Sequence, residues 1–70
     1  MMLPKEEVWR LLQQSDNAMT VWDIYCVLRS QSCNIPLDKI FMAVSRLLVV
    51  DEKIEAYSVE GSQHVYLKKR

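Results

Sequence analysis

Apolar residues recur along the first two thirds of the chain at the spacing of helices, and along the last third at the spacing of strands. Val8, Leu11 and Leu12 stand at i, i+3 and i+4, with Trp9 extending the stripe and Arg10, Gln13 and Gln14 on the polar side. Pro4 suits a first helical turn, where its missing N–H has no partner to lose. Glu6 and Glu7 follow, where carboxylates complement the positive end of the helix dipole. A first helix over about Pro4–Gln14 is predicted, ended by the polar break Ser15-Asp16-Asn17.

Ala18-Met19-Thr20 is too short to classify from its own pattern. Thr20 and Asp23 have the spacing of a capping box and open a second helix, about Val21–Ser30. Val21, Ile24, Tyr25 and Leu28 share one face, with Val27 beside it, and Trp22, Cys26 and Arg29 form a second stripe. A short helix apolar over so much of its circumference is expected to be buried on two sides. The connection Gln31–Ile35 holds no glycine, so it is predicted to be longer than the tightest helix-turn-helix turn. Pro36 then starts a third helix, about Pro36–Val50, whose buried face holds Ile40, Val44, Leu47 and Leu48. Lys39, Met42, Ser45 and Arg46 point away, with Asp38 and Phe41 on the flanks. Phe41 and Met42 are neighbours in sequence, so one of them is expected at the surface.

After Asp51-Glu52 the period becomes two. With Glu60-Gly61 as a two-residue loop, Val59 faces Ser62; Ala56 then pairs with Val65 and Ile54 with Leu67, and these last four lie on one apolar face. Glu55, Tyr57, His64 and Tyr66 share the other face, with His64 beside Tyr57. A slip of one residue would mix the two sets. Gly61, the only glycine, stands where a positive φ is needed. The predicted fold class is α+β, three helices followed by a two-stranded hairpin, in a single domain over residues 1–70.

This order of elements, and in particular IPLDKIFMAVSRLLVVDEKIEAYS followed by HVYL, resembles the winged helix-turn-helix superfamily. The tail EAYSVEGSQHVYLKK also resembles the small winged-helix proteins associated with dissimilatory sulfite reductase. The superfamily resemblance implies a brief strand near Ala18-Met19-Thr20 that pairs with the hairpin. It also implies binding of double-stranded DNA, most often in transcription regulation, with the third helix in the major groove and the wing on the backbone or minor groove. Carried over by position, the reading face is Asp38, Lys39, Met42, Ser45 and Arg46, and Lys68 and Lys69 beside Arg70 are further candidates for phosphate. Dimerisation through the first helix or the Trp22–Cys26 stripe belongs to the same expectation.

Charge opens a second reading. Lys plus Arg and Asp plus Glu number nine each, so the formal net charge is zero, whereas nucleic-acid binders usually carry a basic excess. The wing tip, Val59-Glu60-Gly61-Ser62, carries an acid. The alternative is therefore a protein-interaction module or accessory subunit that docks through Trp22, Phe41, Met42, Tyr57 and Tyr66. Against that, Trp9 and Trp22 are read first as core residues, and Phe41 as packed on the wing or second helix.

Cys26 and Cys33 match neither C-x-x-C nor a zinc framework, and His64 is the only histidine, so reduced thiols, no metal and no cofactor are expected. No phosphate loop, H-E-x-x-H or Ser/His/Asp set is present, and no enzyme activity is expected. No stretch approaches the roughly 20 apolar residues of a membrane span. Pro4 and charges follow directly on Met1–Leu3, so no signal peptide is read and a cytoplasmic protein is expected.

Overall fold

The computed structural model describes residues 3–70. The chain forms α1 (Pro4–Gln14), α2 (Val21–Ser30) and α3 (Leu37–Ser45), which runs on into one wider π-helical turn (Arg46–Val50). A hairpin of β1 (Ile54–Ser58) and β2 (Val65–Lys69) follows. The sequence pattern and the structure agree on the bounds of α1 and α2. The capping box is formed: the Asp23 N–H donates to Thr20 Oγ1 and the Thr20 N–H to Asp23 Oδ2, both at 3.1 Å. Just before it, Met19 and Leu67 exchange backbone hydrogen bonds of 2.9 and 2.7 Å, which is the brief third strand reduced to one bridge.

One core lies between the three helices and the base of the hairpin. Val8, Leu12, Ile24, Leu28, Ile40, Leu47 and Ile54 are fully buried, joined by Leu11, Ile35, Ala43, Val44 and Leu67. Glu7 is also buried, and it is matched by Arg10, whose Nε donates to Glu7 Oε2 at 3.2 Å. The same guanidinium donates from Nη2 to Gln31 Oε1 at 2.9 Å, so Arg10, expected on the polar side, ties α1 to the end of α2.

The α2–α3 connection is longer than the tightest helix-turn-helix turn, as expected, with α2 ending at Ser30 and α3 starting at Leu37. It opens without glycine. Ser32 takes a left-handed φ of 62°, its N–H reaches Arg29 O at 3.0 Å, and the Cys33 N–H reaches Leu28 O at 2.8 Å. That is a Schellman ending with serine where glycine is usual.

Three details differ from the expectation, each for a local reason, and the first is that the third helix does not stay α-helical to Val50. The Asp51 N–H bonds Arg46 O at 2.9 Å, five residues back, and the Lys53 N–H bonds Leu47 O at 2.9 Å. Glu52 between them has a φ of 52°. This is the same kind of ending with one extra residue in the turn, which keeps Leu47 in the core while Leu48 is only half-buried and Val49 and Val50 face solvent.

In the hairpin, Ala56 pairs with Leu67, Tyr57 with Tyr66 and Ser58 with Val65, a shift of two residues from the expected register. A two-residue type I′ loop needs positive φ at both central residues, but only Gly61, at 84°, has it. Val59–Ser62 instead forms a type II turn, closed by the Ser62 N–H on Val59 O at 3.0 Å. Ser62 Oγ then accepts the His64 N–H at 3.1 Å, so Gln63 and His64 stay outside the ladder. A shift of two preserves which residues share a face. It also carries the tip beyond the helices, so Val65 and Ala56, expected on the buried face, are exposed.

Trp22 is the third difference. Expected first in the core, it is 54% exposed, and Cys26 and Arg29 of the same stripe are exposed with it. Trp9 is partly buried against the core, with the Lys53 ammonium 5.4 Å from its ring centroid.

Candidate nucleic-acid interface

The inward side of α3 is anchored by Ile40, Ala43, Val44 and Leu47, which leaves Asp38, Lys39, Phe41, Met42, Ser45 and Arg46 exposed. At about 100° per residue, Asp38, Met42 and Ser45 fall within about 60° of one another on the outermost line of the helix. Lys39 and Arg46 lie to one side of that line and Phe41 to the other.

The two sides meet different neighbours. Lys39, Met42 and Arg46 line a shallow hollow of about 150 Å³ with Ala43 and with Pro4 and Lys5 at the start of α1. Phe41 lines a separate hollow of about 190 Å³ with Thr20, Val21 and Trp22 at the start of α2 and Gln63, His64 and Val65 of the wing. The sequence reading grouped Phe41 with Met42, whereas the fold places Met42 beside the cations and Phe41 beside Trp22. Gln63, His64 and Val65 were not foreseen there, because their place follows from the register shift.

Lys5 was not foreseen either. Its Nζ lies 2.9 Å from Asp51 Oδ2 and clamps the start of α1 to the end of the π-helical turn. The Lys5 hydrogen bond holds the Asp51 carboxyl below its ordinary range, partly opposed by desolvation and helped by the charges of Lys5, Lys53 and Arg46. Among the described residues neither Lys39 nor Arg46 forms an ion pair.

The remaining candidates lie apart from α3. Tyr57 and Tyr66 stack on the outer face of the hairpin, with ring centroids 5.9 Å apart and planes at 25°. His64, expected opposite Tyr57, is displaced by Tyr66. Lys68 stands opposite Glu55 in the ladder, and Lys69 Nζ donates to Gln13 O of α1 at 3.2 Å. Cys26 and Cys33 are free thiols. Among the described residues no group of three or more His, Cys, Asp and Glu side chains is placed to hold a metal ion, and no helix is long and apolar enough to cross a membrane.

Three helices, a one-residue bridge and a two-stranded wing, with α3 packed across α1 and α2, make this a winged helix-turn-helix domain. Solved structures share the arrangement. A structure of HOP2, described for its DNA recognition and protein interaction domains, superposes with a TM-score of 0.80 at 13% identity, covering 96% of this chain and 98% of that one. The ferric uptake regulator of Pseudomonas aeruginosa, determined with manganese, gives 0.84 at 14% identity over 99% of this chain. PerR of Streptococcus pyogenes, described for peroxide sensing and gene regulation, gives 0.82 at 16% over 99%. The chain spans 51% and 46% of those two regulators, so the likeness covers about half of each. No family model and no curated protein matches the chain.

Proposed function

We propose that this domain binds double-stranded DNA, with α3 in the major groove and the wing against the backbone, and that it serves as a cytoplasmic transcription regulator working as a dimer. The observation that carries the reading is the outward side of α3. Lys39, Ser45 and Arg46 stand there exposed around Met42, opposite the side that anchors the helix in the core, and neither cation is taken up by an ion pair among the described residues. Arg46 and Lys39 contact bases or phosphate, Ser45 adds a hydroxyl that accepts or donates, and Lys68 and Lys69 approach the backbone. The DNA recognition and gene regulation described for HOP2 and PerR support the same reading.

The test is a titration with duplex DNA at two salt concentrations, with the mass measured by light scattering. Binding that rests on phosphate contacts weakens linearly in log–log form as salt rises. A protein that shows no salt-dependent association with any duplex is not a DNA-binding domain, and a monomeric mass in the complex removes the dimer.

A second reading has its own observation. Trp22 and Phe41, both about half exposed, flank one hollow beside Val65, and an exposed aromatic cluster of this kind suits a protein partner. In that case the domain is an interaction module, Tyr57 and Tyr66 extend the contact, and Trp22→Ala abolishes partner binding while Arg46→Ala does not.

A further inference from the structure

The residue at the centre of the outward face of α3 is apolar, and that narrows what the face can read. Met42 is 56% exposed and lies between Asp38 and Ser45 along the helix axis, at the edge of the outermost line nearer the cations. The two free cations stand to one side of it, where they can meet a phosphate rail while Met42 is aimed at the groove floor. A thioether is only a weak acceptor and has no proton to donate. It cannot read the donor and acceptor pattern that distinguishes G·C from A·T pairs.

The floor of the major groove carries one apolar group, the 5-methyl of thymine. Against a thymine, Met42 removes apolar surface from water on both sides. Against a guanine or cytosine edge it removes water from polar atoms and returns no hydrogen bond, which is a penalty. Asp38 does not add to this selection, since its carboxylate repels phosphate and can accept from the amino group of cytosine or of adenine.

Building on the DNA-binding reading above, we infer that Met42 reads the 5-methyl groups of thymine in the major groove, so that the domain binds best where thymines face α3. The probe is a duplex of alternating A and T, compared with the same duplex carrying deoxyuridine in place of every thymine. The two differ at the groove floor by the methyl groups. Wild-type protein and Met42→Gln are titrated with both at one low salt concentration. Glutamine keeps the length and helix preference of methionine at this exposed position, and a thermal melt confirms that the variant is folded.

Wild-type protein is expected to bind the thymine duplex at least about fourfold more tightly, the equivalent of one buried methyl group. Met42→Gln is expected to bind the two duplexes alike. Equal wild-type affinities overturn the inference and leave DNA binding standing. A thymine preference that persists in Met42→Gln also overturns it, because the methyls are then sensed through the shape of the duplex. If neither duplex binds in a salt-dependent way, the DNA reading fails and this inference fails with it.

Discussion

The two flanks of α3 offer a partner opposite chemistries although they are a helix width apart. On the α1 side Lys39 and Arg46, without an ion pair among the described residues, line a hollow that Lys5 borders. On the wing side Phe41, Trp22, Val65 and His64 form a surface with no formal charge when the histidine is neutral. A net charge of zero therefore hides a segregated surface, and the balance of nine against nine argues less against a polyanion than it first appears to. What matters is where the cations sit, and only the fold shows that.

The largest effect expected is common to both flanks. Ile40 is fully buried beneath them, and Ile40→Ala should lower the unfolding free energy by about 2–5 kcal/mol, read as a shift of the urea midpoint. If both flanks need a seated α3, every binding activity is lost along with stability.

Arg46→Ala tests the basic flank by itself. It should weaken duplex binding by about 1–3 kcal/mol at low salt and reduce the salt slope by about one phosphate, with stability nearly unchanged. An unaltered titration would remove Arg46 from the interface and leave the aromatic flank as the stronger candidate.

Trp22→Ala tests that second flank. Trp22 meets Tyr25 edge-on, with centroids 6.3 Å apart and planes at 88°. Its loss should cost about 0.5–1.5 kcal/mol of stability and leave duplex affinity unaltered. A fall in duplex affinity as large as that of Arg46→Ala would merge the two flanks into one site.

The smallest effect concerns the clamp at the end of the basic flank. Asp51 has a lowered pKa in the folded chain, first through its Lys5 hydrogen bond. The unfolded chain therefore binds the proton more readily, and the contribution of this group is fully present above about pH 4, the ordinary aspartate range. It is lost as the pH falls through the lower folded value. Acid melts of wild type and Lys5→Met should converge in that window, and equal pH profiles would mean that the pair does not stabilise the fold.

How far the sequence reached depended on the range of the interaction. Local signals sufficed for α1, α2 and the capping box, because Val8, Leu11, Leu12, Thr20 and Asp23 carry their information within one or two turns. The face assignment of the hairpin was legible too, since alternation survives a shift of two. The register was not, because it turns on the negative φ of Glu60 and on one hydrogen bond from the His64 amide to Ser62 Oγ.

The end of α3 and the turn that follows α2 were obscured by the residues that take the left-handed position. Ser32 and Glu52 do what glycine usually does, and neither announces it. At the candidate site, Lys39, Met42, Ser45 and Arg46 could be placed outward from periodicity alone. The separation of Phe41 from Met42, and the exposure of Trp22, depend on how α2 and the wing pack around α3, over distances a residue pattern does not span.

The wide turn at Arg46–Val50 has one more consequence. A single-residue deletion inside an ordinary helix rotates everything after it by about 100° and usually ruins the fold. Here the Asp51 amide already reaches back five residues to Arg46, where a regular helix would reach back four. Removing one of the two exposed valines restores the shorter reach without pulling β1 out of place. A chain one residue shorter is thus best tolerated at the seam between α3 and the wing, where it would adjust the spacing of the two parts proposed to grip a duplex.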